Sequence, residues 1–72
     1  MKKIKKIEIK VNGKFKHVTE NYKISDLVKD LKIPLKKVAI ELNQEIIDKK
    51  KISKIILKKD DKIEIVHFIG GG

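Results

Sequence analysis

Near its start the sequence carries the pattern of a β-hairpin, which limits the possible folds more than any other feature. Ile7, Ile9 and Val11 alternate with charged residues, as in a strand that is buried on one face. Asn12-Gly13 follows at once, and this dipeptide tolerates the positive φ angles of a tight primed turn. We therefore expect the chain to reverse there and to run back as a second strand.

The hydrophobic period then changes to that of a helix. Four apolar residues are spaced at i, i+3, i+4 and i+7, namely Ile24, Leu27, Val28 and Leu31. This spacing forms one apolar stripe along a short helix. Ser25 or a residue just before it is placed to cap the helix. The Ile33-Pro34 step is expected to end it, because proline disfavours helical geometry in the residue that precedes it.

Further strands are predicted in the second half of the chain. Residues 38–42 are apolar enough for a strand, Asn43-Gln44 is typical of a turn, and residues 45–47 suit a short returning strand. Residues 62–68 alternate again and form the strongest remaining strand. Residues 49–57 have a mixed pattern, which suits a helical turn or an irregular crossing segment.

This order of elements predicts an α+β fold, in which one main helix covers one face of a mixed sheet of four to five strands. Two hairpins around a helix suit the ubiquitin-like β-grasp arrangement, with the last strand parallel to the first and beside it. A chain of 72 residues has room for one domain, which we assign to residues 1–69, followed by a flexible glycine tail at 70–72. The expected core consists of Ile7, Ile9, Val11, Phe15, Leu27, Leu31, Ile40, Ile63 and Ile65.

The composition disfavours several classes of function. There is no cysteine, so disulfides, thiolate metal sites and thiol nucleophiles are excluded. All 19 basic residues are lysine and only three residues are aromatic, so the arginine forks and stacking platforms typical of nucleic-acid binding are missing. No continuous apolar block suggests a secretory signal or a membrane span, which predicts a cytoplasmic protein with no membrane partner.

The side chains form no recognisable catalytic or metal-binding constellation. His17 and His67 lie far apart in the sequence, and they do not have the spacing of a metal site or a catalytic triad. Ser25 and Ser53 lack the context of a nucleophile elbow. We therefore expect no catalytic residue, no metal site and no intrinsic enzymatic activity.

Glycine is concentrated at the end of the sequence, where Gly70, Gly71 and Gly72 account for three of the four glycines. Such a tail is costly to order and offers no side chains for packing. It suits a narrow channel in a partner protein, where a bulky side chain would obstruct access to the terminal carboxylate. Taken alone, the glycines are equally compatible with a frayed chain end or a linker.

The residues before the tail favour a functional role. Along the last strand, Val66 and Phe68 are expected to point away from the face that the helix covers, because side chains alternate. Exposed apolar residues beside a chain end are typical of a docking surface. We predict that Val66, His67, Phe68 and Ile69 contact a partner and that Gly70 and Gly71 enter its active site.

The end of the sequence resembles the C-terminal signature of the thiamin-biosynthesis sulfur carriers, the ThiS family. This ending is Ile63-Glu64-Ile65-Val66-His67-Phe68-Ile69-Gly70-Gly71-Gly72. Residues 38–47 are similar to the family's central strand, asparagine turn and return strand, and Asn12-Gly13 and residues 25–28 fit its first hairpin and helix start. The resemblance therefore covers nearly the whole chain. The basic residues 1–6 and the high lysine content depart from it.

The resemblance implies a protein carrier that partner enzymes act upon. A separate adenylating enzyme of the ThiF type would use ATP to adenylate the carboxylate of Gly72. Sulfur from a cysteine desulfurase or another donor would then give a C-terminal thiocarboxylate, and a thiazole synthase of the ThiG type would take up that sulfur to build the thiazole of thiamin. The carrier itself would bind no cofactor. A related carrier for molybdopterin, tRNA thiolation or another metabolite, or a protein modifier, remains an alternative.

Overall fold

The computed structural model describes residues 5–68, in which one helix packs against a five-stranded mixed sheet. In chain order the elements are β1 (Lys6–Val11), β2 (Lys14–Thr19), α1 (Ile24–Asp30), a 3-10 turn (Leu35–Lys37), β3 (Val38–Leu42), β4 (Glu45–Ile46), a second 3-10 turn (Lys49–Lys51) and β5 (Lys62–His67). The strand order is β2-β1-β5-β3-β4. β5 is parallel to β1 and antiparallel to β3, so the predicted β-grasp arrangement is confirmed.

Both hairpins turn at asparagine, as predicted. In the first, Asn12 and Gly13 have φ angles of 50° and 82°, and in the second, Asn43 and Gln44 have φ angles of 51° and 73°. Positive φ at both central residues matches the twist of the flanking strands. These local preferences set the register of both strand pairs, because two-residue turns leave little freedom of alignment.

The helix begins with the apolar stripe at Ile24, as the sequence pattern indicates, but ends earlier than predicted. Its N-cap position is Lys23, whose backbone N–H donates to Asp26 Oδ2 at 2.9 Å, whereas Ser25 lies inside the helix and does not cap it. The helix ends at Asp30, before the predicted stop at Pro34. Lys32 has a φ of 53°, and this left-handed residue turns the chain away before proline can act.

The core lies between the helix and one face of the sheet. Its buried members are Ile9, Val18, Ile24, Leu27, Val38, Ile40, Ile52, Leu57 and Ile63. Ile7, Val11 and Ile65 are partly buried against them, as predicted. Two predicted core residues are wrong, because Phe15 is 68% exposed and Leu31 is 44% exposed.

The two errors have separate physical causes. Phe15 lies opposite Lys10 on the outer face of the sheet, where the Lys10 ammonium nitrogen is 5.0 Å from the centre of its ring. Leu31 follows the last helical residue and serves as the C-cap, so its side chain leaves the apolar stripe that the helical period predicts. The core volume is filled instead from β2, β3 and the segment after β4.

Residues 49–57 form the irregular crossing segment that the sequence suggested. A 3-10 turn is followed by Ile52 and Leu57, which are both buried. The segment is tied to the start of the helix, because Ser25 N donates to Ile52 O at 3.1 Å. The predicted boundary between a domain at 1–69 and a tail at 70–72 lies outside the described residues.

Candidate functional site at the end of the last strand

β5 is the central strand and leads directly towards the glycine tail. It pairs with β3 over five residue pairs, from Leu42 opposite Ile63 to Val38 opposite His67. On its other side it pairs with β1 at Lys62 and Ile63. Ile63 is 1% exposed, so burial and pairing on both sides fix the base of the strand. The chain after Phe68 therefore follows directly from the central strand of the sheet.

The asparagines of the two hairpin turns also fix β5. Asn12 Oδ1 accepts a hydrogen bond from Ile65 N at 2.7 Å. Asn43 Oδ1 accepts from Lys62 N at 2.9 Å, and Asn43 Nδ2 donates to Asp61 Oδ1 at 3.0 Å. Each asparagine thus has two structural roles, because it adopts the positive φ of a turn and bonds to the strand between the turns. The sequence did not indicate this second role.

The turn before β5 is closed by its aspartates. Asp61 Oδ2 accepts from Lys58 N at 2.7 Å, and Asp60 has a φ of 69°. Asp60 N donates to Glu8 O at 2.8 Å, which joins this turn to β1. These contacts account for both aspartates as structural residues.

An apolar surface lies on the outer face of the sheet, beside the emerging chain. Val66 is 48% exposed and Phe68 is 53% exposed, which confirms the predicted outward orientation of both side chains. Ala39 lies directly opposite Val66 on β3, and Ile46 on β4 is 77% exposed. We call Ala39, Ile46, Val66 and Phe68 the outer patch. Ala39 and Ile46 were not predicted as members of this surface. The short strand Glu45-Ile46-Ile47 did indicate one outward-facing apolar residue, because neighbouring side chains in a strand point to opposite faces.

Phe68 is held in place although it follows the end of β5. Its backbone N–H donates to Lys37 O at 2.8 Å, which continues the ladder between β3 and β5. The Lys49 ammonium nitrogen lies 5.3 Å from the centre of its ring, within the range of a cation–π interaction. The ring is therefore a positioned feature of the surface, with a cation beside it.

His67 is exposed and lies in register with Val38, so its side chain belongs to the opposite face from Val66 and Phe68. Of the predicted docking residues, the structure thus places two on the outer patch and one on the other side of the strand. Ile69, Gly70, Gly71 and Gly72 lie outside the described residues, and their roles stay predictions.

The charges on the outer face are arranged in an unusual way. Glu41 and Glu64 lie directly opposite each other on β3 and β5, and like charges in that position are destabilising. The one ion-pair contact within residues 5–68 joins His17 Nε2 to Glu8 Oε2 at 3.3 Å, so neither of these two carboxylates has a cationic partner there. Glu41 and Glu64 border the outer patch beside Ala39 and Val66.

The other polar side chains within residues 5–68 suggest structural roles. No group of three or more potential metal-ligating side chains occurs in this part of the chain. The Tyr22 hydroxyl donates to Asp30 Oδ2, and burial together with this carboxylate raises the pKa of Tyr22 above its usual value. Tyr22 is therefore a neutral donor that ties the segment before the helix to the end of the helix. None of the helices in the described range is long and apolar enough to cross a membrane.

Comparison with known proteins places this geometry in a family. Residues 9–72 match the family model described as the ThiS family. The sulfur carrier protein ThiS of Bacillus subtilis strain 168 is 40% identical over 65 residues, which cover 89% of this chain and 98% of that protein. A crystal structure of a thiamine biosynthesis protein (ThiS) from Geobacter metallireducens superposes with a TM-score of 0.80 at 30% identity, covering 92% of this chain and 100% of that one.

Two longer relatives also match. The thiazole synthase of Paramagnetospirillum magneticum is 33% identical over 66 residues, which cover 92% of this chain but 20% of that protein. A thiazole synthase of Magnetococcus marinus matches with the same identity and coverage. This chain thus spans about a fifth of the length of these two relatives. The family model, the matched length and the shared fold together show that the chain belongs to the ThiS family.

Proposed function

We propose that this protein is a sulfur carrier in thiamin biosynthesis and that its working group is the carboxylate of Gly72. The observation that carries the proposal is the agreement of the fold and nearly the whole sequence with the ThiS family. The described part of the molecule supports a carrier, because the central strand of the sheet leads into the glycine tail. Within that part, the side chains of Asn12, Asn43 and Asp61 form bonds that close turns and anchor β5.

The proposed chemistry takes place at the end of the chain, in the active sites of other proteins. A carboxylate is a poor acyl donor, because its negative charge is delocalised and its leaving group would be oxide. A partner enzyme would direct a carboxylate oxygen of Gly72 onto the α-phosphorus of ATP, with loss of pyrophosphate, to form an acyl-adenylate. A thiol reductant would release sulfide from the persulfide of a cysteine desulfurase, or another donor would supply it. This sulfide would attack the acyl carbon and release AMP. The product is a thiocarboxylate, which carries nucleophilic sulfur.

The glycine tail suits this chemistry for a steric reason. Three residues without side chains extend to about 10 Å, so the carboxylate can reach an active site while the folded domain stays outside. The tail loses conformational entropy on binding, and glycine loses more than any other residue. Docking of the domain would offset part of that cost.

The outer patch is the surface we assign to this docking. Val66 and Phe68 are half-exposed beside the tail, and Phe68 is positioned by Lys37 and Lys49. Aromatic anchors of this kind contribute a large share of binding energy in protein interfaces. Lys49 at the edge of the patch adds a cation that can pair with a carboxylate of the partner.

The acceptor that we propose is a thiazole synthase. Two relatives named thiazole synthase contain a segment similar to nearly all of this chain. A carrier joined to its acceptor in one polypeptide has a high effective concentration at the acceptor's active site. We infer that a thiazole synthase receives sulfur from the present protein, in the cytoplasm where ATP is available to the adenylating enzyme.

An adenylation assay tests the proposal. The protein is incubated with a ThiF-type adenylating enzyme and ATP, and pyrophosphate release is measured. We expect release with the full chain and none above background when Gly71 and Gly72 are deleted. A matched control lacks residues 1–3 at the opposite end, and it should support release at the rate of the full chain. Equal rates for the two deletions would contradict a role for the tail.

A further inference from the structure

One edge of β5 is paired along the strand, whereas the other is paired only at its start. The edge towards β3 is bonded over five residue pairs and continues with the bond from Phe68 N to Lys37 O. The edge towards β1 has two residue pairs, Lys10 with Lys62 and Val11 with Ile63. β1 ends at Val11, so the second half of β5 extends beyond it.

The direction of the backbone groups shows which of them lie on this open edge. Peptide groups alternate sides along a strand, and Phe68 N points to β3. The backbone N–H and C=O groups of the odd-numbered residues of β5 therefore point towards β1. Two contacts agree with this, since Ile63 O accepts from Asn12 N at 2.8 Å and Ile65 N donates to the Asn12 side chain at 2.7 Å.

The next groups along that edge are the C=O of Ile65 and the N–H and C=O of His67. Beyond Asn12 the chain reverses at Gly13, whose φ is 82°, and runs back as β2. Within residues 5–68 these three groups have no strand opposite them. His67 is exposed, and we call this stretch without a facing strand the open edge.

We propose that an extended segment of the adenylating enzyme pairs with this edge as an added strand, donating to the C=O of Ile65 and accepting from the N–H of His67. This inference rests on the proposed function and adds a mode of recognition to it. An open strand edge is a template for an extended chain, which supplies donors and acceptors at the matching spacing.

The position of the edge argues for this occupant. The open edge and the glycine tail are consecutive parts of one chain, separated from each other by Phe68 and Ile69. A partner that draws the tail into a channel must therefore run beside the residues that enter it. Pairing at His67 would align the tail with the channel, while the outer patch contacts the enzyme from the sheet face.

Removal of the His67 N–H tests the inference. His67→Pro lacks the N–H and the imidazole, whereas the matched variant His67→Ala lacks only the imidazole. Proline at position 67 should not disturb the ladder to β3, because that ladder uses the N–H groups of the even-numbered residues. Val66, which precedes it, is extended, and this conformation is compatible with a following proline. We expect similar unfolding midpoints for the two variants. One lost hydrogen bond in the complex should lower kcat/KM for pyrophosphate release by about fivefold in His67→Pro relative to His67→Ala.

A second variant separates the lost donor from the rigidity of proline. In chemically synthesised protein, an ester in place of the amide between Val66 and His67 removes the same N–H and keeps an acyclic backbone. We expect this ester to lower kcat/KM by a similar factor, and this measurement decides the matter if His67→Pro does not fold. Equal kcat/KM for the ester and amide forms would overturn the inference.

Two further outcomes have defined meanings. Concentration-dependent dimerisation of the unsubstituted chain that is lost in the ester form would assign the edge to a second copy and would overturn the proposed occupant. Failure of the unsubstituted chain to support pyrophosphate release would instead overturn the proposed function, and the inference with it. Normal release in all forms would overturn the inference alone.

Discussion

Asn12 provides the sharpest test of how β5 is fixed. Its side chain accepts from Ile65 N at 2.7 Å, while its own N–H donates to Ile63 O at 2.8 Å. Asn12→Gly removes only the side-chain bond, because glycine adopts the φ of 50° without strain and keeps the backbone bond. Loss of one such hydrogen bond costs about 1 kcal/mol, which for a domain of this size lowers the melting temperature by about 4–8 °C.

The assay combines thermal unfolding with amide hydrogen exchange. In Asn12→Gly we expect faster exchange at Ile65, since that N–H loses its acceptor. Asn43→Gly is the matched control, because Asn43 has a φ of 51° and its side chain accepts from Lys62 N. In that variant we expect faster exchange at Lys62 and unchanged exchange at Ile65. An unchanged midpoint together with unchanged exchange at Ile65 would refute the view that the turn asparagine anchors the strand.

Three further predictions concern the surface and the pH dependence. Phe68→Ala should leave the free energy of unfolding within about 0.5 kcal/mol but raise the KM for adenylation. Phe15→Ala changes an exposed aromatic on the edge strand β2 and should leave the KM unchanged. Equal KM values for the two variants would contradict the assignment of the outer patch. Glu64→Gln should stabilise the protein by about 0.2–1 kcal/mol, because it removes the repulsion from Glu41. An unchanged free energy of unfolding in urea denaturation would exclude that repulsion. Folding raises the pKa of Tyr22 above its ordinary value of 10.0, so the unfolded state loses the hydroxyl proton first. The free energy of unfolding should therefore fall as the pH rises above 10.0. An equally steep fall for a Tyr22→Phe variant in alkaline denaturation would contradict this.

The parts of the fold that were predicted correctly depend on local chemistry. Asn12-Gly13 and Asn43-Gln44 adopt positive φ angles that few other residues tolerate, so their positions indicate the turns without knowledge of the rest of the chain. The alternation along β5 likewise predicts that Ile63 is buried and that Val66 and Phe68 are exposed. Once two hairpins and one helix are placed, few arrangements of so short a chain remain.

The errors occur where tertiary structure decides. Leu31 fits the helical period, but the left-handed Lys32 ends the helix before that residue can join the core. Phe15 is apolar and lies in a strand, yet the register with Lys10 places it on the outer face. Ile52 and Leu57 were not predicted as core residues, because an irregular segment has no period from which burial can be inferred.

The site was predicted only in part, for a similar reason. Val66 and Phe68 follow from alternation along one strand, whereas Ala39 and Ile46 join them through pairing between strands that are distant in sequence. The open edge at His67 depends on where β1 ends relative to β5. That stagger is a property of the assembled sheet, so no local pattern reveals it.

The most direct test of the central claim is a mass measurement on the last residue. The protein is incubated with the adenylating enzyme, ATP, a cysteine desulfurase, cysteine and a thiol reductant, and its intact mass and C-terminal fragments are then determined. We predict that one oxygen is replaced by sulfur and that fragmentation assigns the change to Gly72. Sulfur incorporated elsewhere, or no incorporation by a chain that the enzyme demonstrably binds, would contradict a carrier that holds sulfur at its C-terminal carboxylate.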